Sequence, residues 1–311
     1  MPLLKRGICF AVAAVVVSAA TAFAQSGQRW DWCNGKNDAS PDLIVSGCTA
    51  VIQSGKEDAK ELAVAFHNRG NALRLKNEFD RAIADYDQSI KLDPAAYDPY
   101  VDRGWAYHLK GDFDRAIENH SQAIKRDRDN ARAYVLRGAA LQRKGDYARA
   151  IKDHDQAIRI DPKNVSAYVT RGNDYREILD YVRALQDYNA ALDLDPDDAL
   201  VFANRCFVQA LAGHHDLALK DCNESLRLQP ADNWYALGRR GFVHLLMLQH
   251  EKALADFDTA LTINPNNSIV LFARGLAKAR IGKQVAADAD FARARRMQAN
   301  VAELLARHGV K

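Results

Sequence analysis

Cysteine, histidine and a recurring arginine–acid pair are the side chains from which this chain could build chemistry. Four cysteines, Cys33, Cys48, Cys206 and Cys222, follow an apolar N-terminal segment, and an even count after an export leader suits two disulfides, chosen among three connectivities. The short separations favour Cys33 with Cys48 and Cys206 with Cys222. Each bridge would close a loop of about 15 residues, contributing roughly 3 kcal/mol in the chain-entropy model. For the second pair, buried free thiols would serve the packing equally well. Zinc is a poor competitor, because there is no C-x-x-C pair and no histidine at ligand spacing from the cysteines. His214, His215 and His250 fall near turns, where a metal site is conceivable but exposed turn histidines explain them as well. No G-x-S-x-G, phosphate loop or H-E-x-x-H is present, so no catalytic residue, metal or cofactor is expected and the chain reads as a non-enzyme.

The arginines belong to a word that recurs seven times: Arg69-Gly70, Arg103-Gly104, Arg137-Gly138, Arg171-Gly172, Arg205-Cys206, Arg240-Gly241 and Arg274-Gly275. The steps are 34 residues, once 35. Such a period implies supersecondary units that cannot bury their apolar faces alone and must stack. Sixteen residues after each arginine stands Asp85, Asn119, Asp153, Asp187, Asp221, Asp256 or Asp290. An arginine and an acid recurring together read as a ladder of charged hydrogen bonds between two helices. Structural residues repeat in this way; binding residues should differ between units.

Within one unit, residues 131–164, Tyr134, Gly138 and Leu141 share one helical face, and Gly145-Asp146 supplies a turn. Ala150, Ile151, His154, Ala157 and Ile158 continue the rhythm on a second helix, which Pro162 ends. Glycine inside a helix costs about 1 kcal/mol relative to alanine, and close approach of the paired backbones is the expected reason for keeping it. This unit resembles the tetratricopeptide repeat, whose pattern has an aromatic at position 4, Gly at 8, Ala at 20, an aromatic at 24 and Pro at 32. Counting from residue 63, the first unit supplies Phe66, Gly70, Ala82, Tyr86 and Pro94; later units supply Ala184 with Tyr188 and Pro196, and Ala253 with Phe257 and Pro265. The resemblance covers about 240 residues in seven in-phase units. It implies an all-α, right-handed superhelical solenoid and identifies a scaffold without naming a ligand.

Both ends depart from the period. Residues 1–24 read as a secretory signal peptide: Lys5 and Arg6, an uncharged run from Gly7, then Ala22-Phe23-Ala24 as an A-x-A cleavage site. A retained anchor is the alternative, and Cys9 is too early in the run for lipid attachment. Residues 25–62 are expected to form a disulfide-stapled lead-in. It comprises an irregular arm over residues 25–40 and a half-repeat over Pro41–Gly55 capped by Ser40. Residues 63–301 hold the seven repeats, and 302–311 a C-terminal cap in which Leu304 and Leu305 follow Val301 in a short shielding helix.

The formal net charge of +3, with two of the positive groups inside the leader, gives no electrostatic case for nucleic acid. The resemblance places positions 6 and 9 of each unit on a concave groove. There the residues vary: Asn68, Asp102, Asn204 and Arg239 at position 6, and Asn71, Trp105, Asn173, Phe207 and Phe242 at position 9, joined by Tyr235 at position 2. Variation among repeating neighbours is what a binding surface shows. The expected function is a non-catalytic scaffold or adaptor of the periplasm or cell envelope, or a secreted one, holding a protein or peptide partner in that groove. A binding or regulatory subunit of a cell-envelope enzyme complex is the alternative, and a small-ligand or metal carrier a third class. No transmembrane segment is expected after signal cleavage.

Overall fold

The computed structural model describes residues 27–307; the signal-peptide reading falls on residues 1–24, outside them. All regular structure among the described residues is helical. Residues 27–33 form a helix, α1, followed by a single 3₁₀ turn, Lys36–Asp38, and α2, Pro41–Ser54. Seven helix pairs follow, each a first (A) and second (B) helix. They are α3 (Ala59–Leu75) and α4 (Phe79–Leu92), α5 (Asp98–Leu109) and α6 (Phe113–Arg126), α7 (Ala131–Arg143) and α8 (Tyr147–Ile160), α9 (Val165–Glu177) and α10 (Tyr181–Leu194). The series continues with α11 (Ala199–Leu211) and α12 (His215–Leu228), α13 (Trp234–Leu246) and α14 (His250–Ile263), α15 (Ser268–Arg280) and α16 (Gln284–Met297), and closes on α17 (Val301–Arg307). The chain divides into two compact units between Gly145 and Asp146, inside the third repeat.

Local chemistry sets these boundaries. Asp58, Asn130, Asn164, Asp198, Asn233 and Asn267 each accept a hydrogen bond from a first-turn backbone N–H of an A helix, and Asp112, Asp146 and Asp180 do so for B helices. Such a cap is worth about 1 kcal/mol. Between the paired helices, residue 15 of the unit takes the left-handed conformation: Asn77, Gly111, Gly145, Leu179, Gly213, Leu248 and Gly282. Glycine meets that demand without strain, whereas a leucine there is held against its preference.

The lead-in is more regular than an arm. Gly47 of α2 lies so close to α1 that an added Cβ would stand 2.6 Å from the Trp32 Cβ and 2.9 Å from the Cys33 backbone nitrogen. Residues 27–33 therefore pack as a helix, and the Cys33–Cys48 disulfide ties it to α2. The sparse apolar pattern of this stretch conceals a helix because its partner is the small-residue patch at Gly47, with no need for a broad apolar stripe.

The repeated glycine admits a ring in addition to the close backbone approach expected, since a Cβ on Gly70 or Gly241 would also stand 3.2 Å from the Ala82 or Ala253 carbonyl oxygen. A Cβ on Gly70, Gly104, Gly172, Gly241 or Gly275 would meet the ring at position 24 of the same repeat, at 2.6 to 2.9 Å: Tyr86, His120, Tyr188, Phe257 and Phe291. Glycine makes room for a buried ring, more than for a backbone. In the fifth repeat both positions are cysteine, and Cys206 is bonded to Cys222. A covalent link replaces the ring-on-glycine contact there, and both sulfurs are fully buried.

Candidate functional site

The arginine ladder is present, with a geometry richer than the period implied. Arg69, Arg171, Arg205, Arg240 and Arg274 each place Nε and Nη2 on the two oxygens of Asp85, Asp187, Asp221, Asp256 and Asp290, at 2.6 to 2.9 Å. Arg103 bonds Asn119 in the same place. The remaining nitrogen, Nη1, reaches back to the preceding B helix: Arg103 to Asp87, Arg137 to Ser121, Arg171 to Asp155 and Arg274 to Asp258. Arg103, Arg171 and Arg274 thus fasten their own helix pair and the B helix before it, and at Arg171 and Arg274 the bond to the acid is bidentate, a geometry that lysine cannot reproduce. Burial alone would raise the carboxyl pKa of Asp290, but hydrogen bonds from Arg274 and Lys278 outweigh it and hold it below the ordinary value.

On the A-helix face, several expected groove residues are committed internally. Asn71 accepts the Tyr86 hydroxyl at 2.7 Å, and Asn173 accepts the Tyr188 hydroxyl at 2.8 Å. Tyrosine stands at position 24 only in these two repeats, and asparagine stands at position 9 only beside it. Where position 24 is His120, Cys222, Phe257 or Phe291, position 9 is Trp105, Phe207, Phe242 or Leu276. Much of the variation at position 9 therefore answers an internal partner. Asn204 is 2% exposed and its Oδ1 accepts from both the Tyr235 hydroxyl and Arg239; Phe242 is 3% exposed. The amide oxygens of Asn71, Asn173 and Asn204 thus each accept from an internal partner.

Asp102 is buried as well, held by His67 Nε2 and Arg132 Nη2, each at 2.8 Å. Burial opposes its charge, but those two partners prevail and keep its pKa below the ordinary carboxylate value. Asn68 donates to Asn34 of the lead-in at 3.1 Å, and Trp105 stacks on His108 with ring centroids 4.9 Å apart. These residues stay within the N-terminal unit.

The C-terminal unit collects four of the expected residues, Phe207, Tyr235, Arg239 and Phe242, around one cavity of about 390 Å³. Its other walls include Arg176, Glu177, Trp234, Ile269 and Val270, and Leu304 with Leu305 from α17. The sequence reading missed Arg176 and Trp234, and treated Leu304 and Leu305 only as a cap. The signal was Arg176 beside Asn173 on one A-helix face, and two adjacent leucines where a shielding helix would need fewer. Arg176 pairs with Glu177 at 2.7 Å and donates to Asn173 at 3.3 Å. Arg239 donates to Asn204 at 2.9 Å and to the Tyr235 hydroxyl, whose ring lies under the guanidinium, 3.6 Å from the centroid. Loss of water lowers the Arg239 pKa to about 10.

Among the described residues no three His, Cys, Asp or Glu side chains are grouped to hold a metal ion, and no helix is long and apolar enough to cross a membrane.

The profile described as TPR repeat matches residues 70–111 and 104–145, and the tetratricopeptide repeat profile matches 131–164 and 234–267. The chain carries tetratricopeptide repeats. Among solved structures, the chain is similar to one from the APC/C hetero-tetramer Cut9-Hcn1, with TM-score 0.66 and 14% identity over 86% of this chain and 52% of that one. It thus spans about half the length of that protein. It is also similar to a tetratricopeptide repeat protein from Parabacteroides merdae, with TM-score 0.65 and 15% identity over 82% of this chain and 97% of the other. A third is pilF of Pseudomonas aeruginosa, TM-score 0.58 and 14% identity over 67% and 95%. At these identities the likeness establishes the repeat fold. No curated protein matches the chain in sequence. Tetratricopeptide proteins generally mediate protein–protein interactions, and their scaffold is generally non-catalytic.

Proposed function

We propose that this protein is a non-catalytic interaction scaffold of the periplasm or cell envelope, holding a protein or peptide segment on the face formed by its A helices. The observation that carries the reading is the convergence of Phe207, Tyr235, Arg239 and Phe242 on one cavity of the C-terminal unit, where aromatic walls and a cation offer an anchor to a partner side chain. Within the N-terminal unit, Trp105 and Asn68, also on A helices, are a second, separate candidate contact. Export is supported by the leader pattern of residues 1–24 and by two disulfides, which persist in oxidising compartments.

The test is photo-crosslinking from residues 105 and 207, each replaced by a photoreactive amino acid, in intact cells, with the same probe at exposed Lys125 as control. A discrete partner captured from 105 or 207 and absent from 125 supports the scaffold. Equal capture at all three positions would sink it. Export is checked separately by N-terminal sequencing of the mature chain, expected to begin at Gln25.

A further inference from the structure

α17 reaches further than a cap for the last repeat requires. Shielding the seventh repeat takes contact with α15 and α16, which α17 makes, with Val301 fully buried. Leu304 and Leu305 go beyond that, lining the cavity with Phe207 of α11, Trp234 and Phe242 of α13 and Ile269 of α15. Arg307 Nη2 comes within 3.5 Å of the Glu177 carbonyl oxygen on α9. Four A helices therefore present residues to one helix of seven residues. Such a helix is about 10 Å long, the spacing of a single pair of packed helices, so the A-helix face of the C-terminal unit curves around it. Its hold is nevertheless slight. Val301 and Leu305 are its buried side chains, Glu303, Ala306 and Arg307 are exposed, and the Arg307 contact lies at the long end of the hydrogen-bond range. Leu304 borders about 390 Å³ that no side chain fills, whereas interiors packed for stability leave few voids larger than a water molecule.

We infer that α17 is an internal occupant of the partner-binding face, standing in for a short amphipathic helix of the partner that displaces it. Val301, Leu304 and Leu305 fall at i, i+3 and i+4, the spacing with which an amphipathic helix lies in an apolar groove. The partner helix presents apolar residues at the same spacing. Because Leu304 leaves the cavity unfilled, the partner residue at its place is aromatic, packing against Phe207, Trp234 and Phe242. The inference rests on the A-helix face being the partner-binding surface. A firmly protected α17 overturns the internal occupant alone, whereas equal capture in the crosslinking experiment overturns that reading of the face.

Two measurements on the full mature chain test this. In hydrogen exchange read by mass spectrometry, residues 301–307 are expected to exchange at least about a hundredfold faster than α15 and α16, because a short strap opens without the rest of the unit. Equal protection of α17 and α15 overturns the inference, since α17 is then a structural cap that opens only when the unit unfolds. The second measurement is fluorescence anisotropy with a labelled synthetic peptide of residues 299–311. The peptide is expected to bind the Leu304→Asp, Leu305→Asp double variant at least about tenfold tighter than the unaltered protein, in which the tethered helix competes. Equal binding to both proteins, or none to the folded double variant at millimolar concentration, overturns the inference. The peptide carrying Leu304→Phe should gain about tenfold more, roughly the worth of two buried methylenes, and no gain overturns the aromatic assignment. Should the double variant lose its helical circular dichroism, the exchange measurement on the unaltered protein decides alone.

Discussion

Two regions built from one repeat treat charge in opposite ways. In the N-terminal unit the turn edge is stitched: Lys76, Lys110 and Lys144, at position 14, reach Asp42 of α2, Asp80 of α4 and Asp114 of α6. In the C-terminal unit the same position is Ile178, Ala212, Met247 and Ile281, with Leu248 74% exposed and Val285 87% exposed beside it. Position 6 contrasts in the same way, a matched acid at Asp102 against an unmatched cation at Arg239. The repeat specifies packing and leaves polarity free, so one fold pairs charges along the turn edge of one unit and places mostly apolar side chains at the same position of the other.

That contrast can be broken most forcibly at the disulfide of the C-terminal unit. Cys206→Ala removes a bridge across a 16-residue separation and is expected to cost about 3 kcal/mol in urea unfolding. Cys206→Gly with Cys222→Phe should recover much of that loss under reducing conditions, by restoring the contact seen at Gly241 and Phe257. If it recovers nothing, the two arrangements are not interchangeable.

The next effect belongs to the N-terminal unit. His120 is fully buried with both ring nitrogens unpaired, and burial, followed by the charges of His108 and nearby arginines, lowers its pKa from 6.5 to about 3. Between those values the unfolded chain binds the additional proton, so stability falls as pH drops from about 6.5 towards 3. The loss at pH 4 is on the order of 3 kcal/mol, and His120→Phe should flatten that slope in melts run from pH 7 to 4. An unchanged slope would place the acid sensitivity elsewhere.

Smaller effects sharpen the comparison at position 6. Asp102→Ala leaves His67 and Arg132 without their acid and is expected to cost about 2 kcal/mol by urea unfolding, because the removed carboxylate is buried and doubly bonded. Its folded pKa is depressed, so its contribution is present above the unfolded value and disappears as pH falls through the folded one. Lys110→Ala should change stability by no more than about 0.5 kcal/mol, the worth of an exposed pair, and lose even that in 1 M salt. A larger change would make the stitched edge a structural element.

Much of this was legible before any coordinates. The period of the Arg-Gly word specifies helix pairs, the capping aspartates and asparagines mark where they start, and the arginine with an acid sixteen residues later names the ladder. The candidate site was legible only in part. The internal partners of Asn71 and Asn173 become legible only when position 9 is compared with position 24, where Tyr86 and Tyr188 stand. The helix over residues 27–33 was hidden because it packs through Gly47, against which a narrow contact suffices.

The sequence by itself determined the repeat, its length and its fastening chemistry, because local propensity and a fixed spacing act within one helix pair and are copied seven times. Only the tertiary structure decided which variable residues are already spoken for and which are not. Asp102 and Arg239 occupy the same place in their repeats, and nothing in either stretch of chain reveals that one finds its counter-charges on neighbouring helices and the other finds none. Electrostatic compensation is a property of side chains some thirty residues apart brought within 3 Å, and a single sequence has no term for that distance.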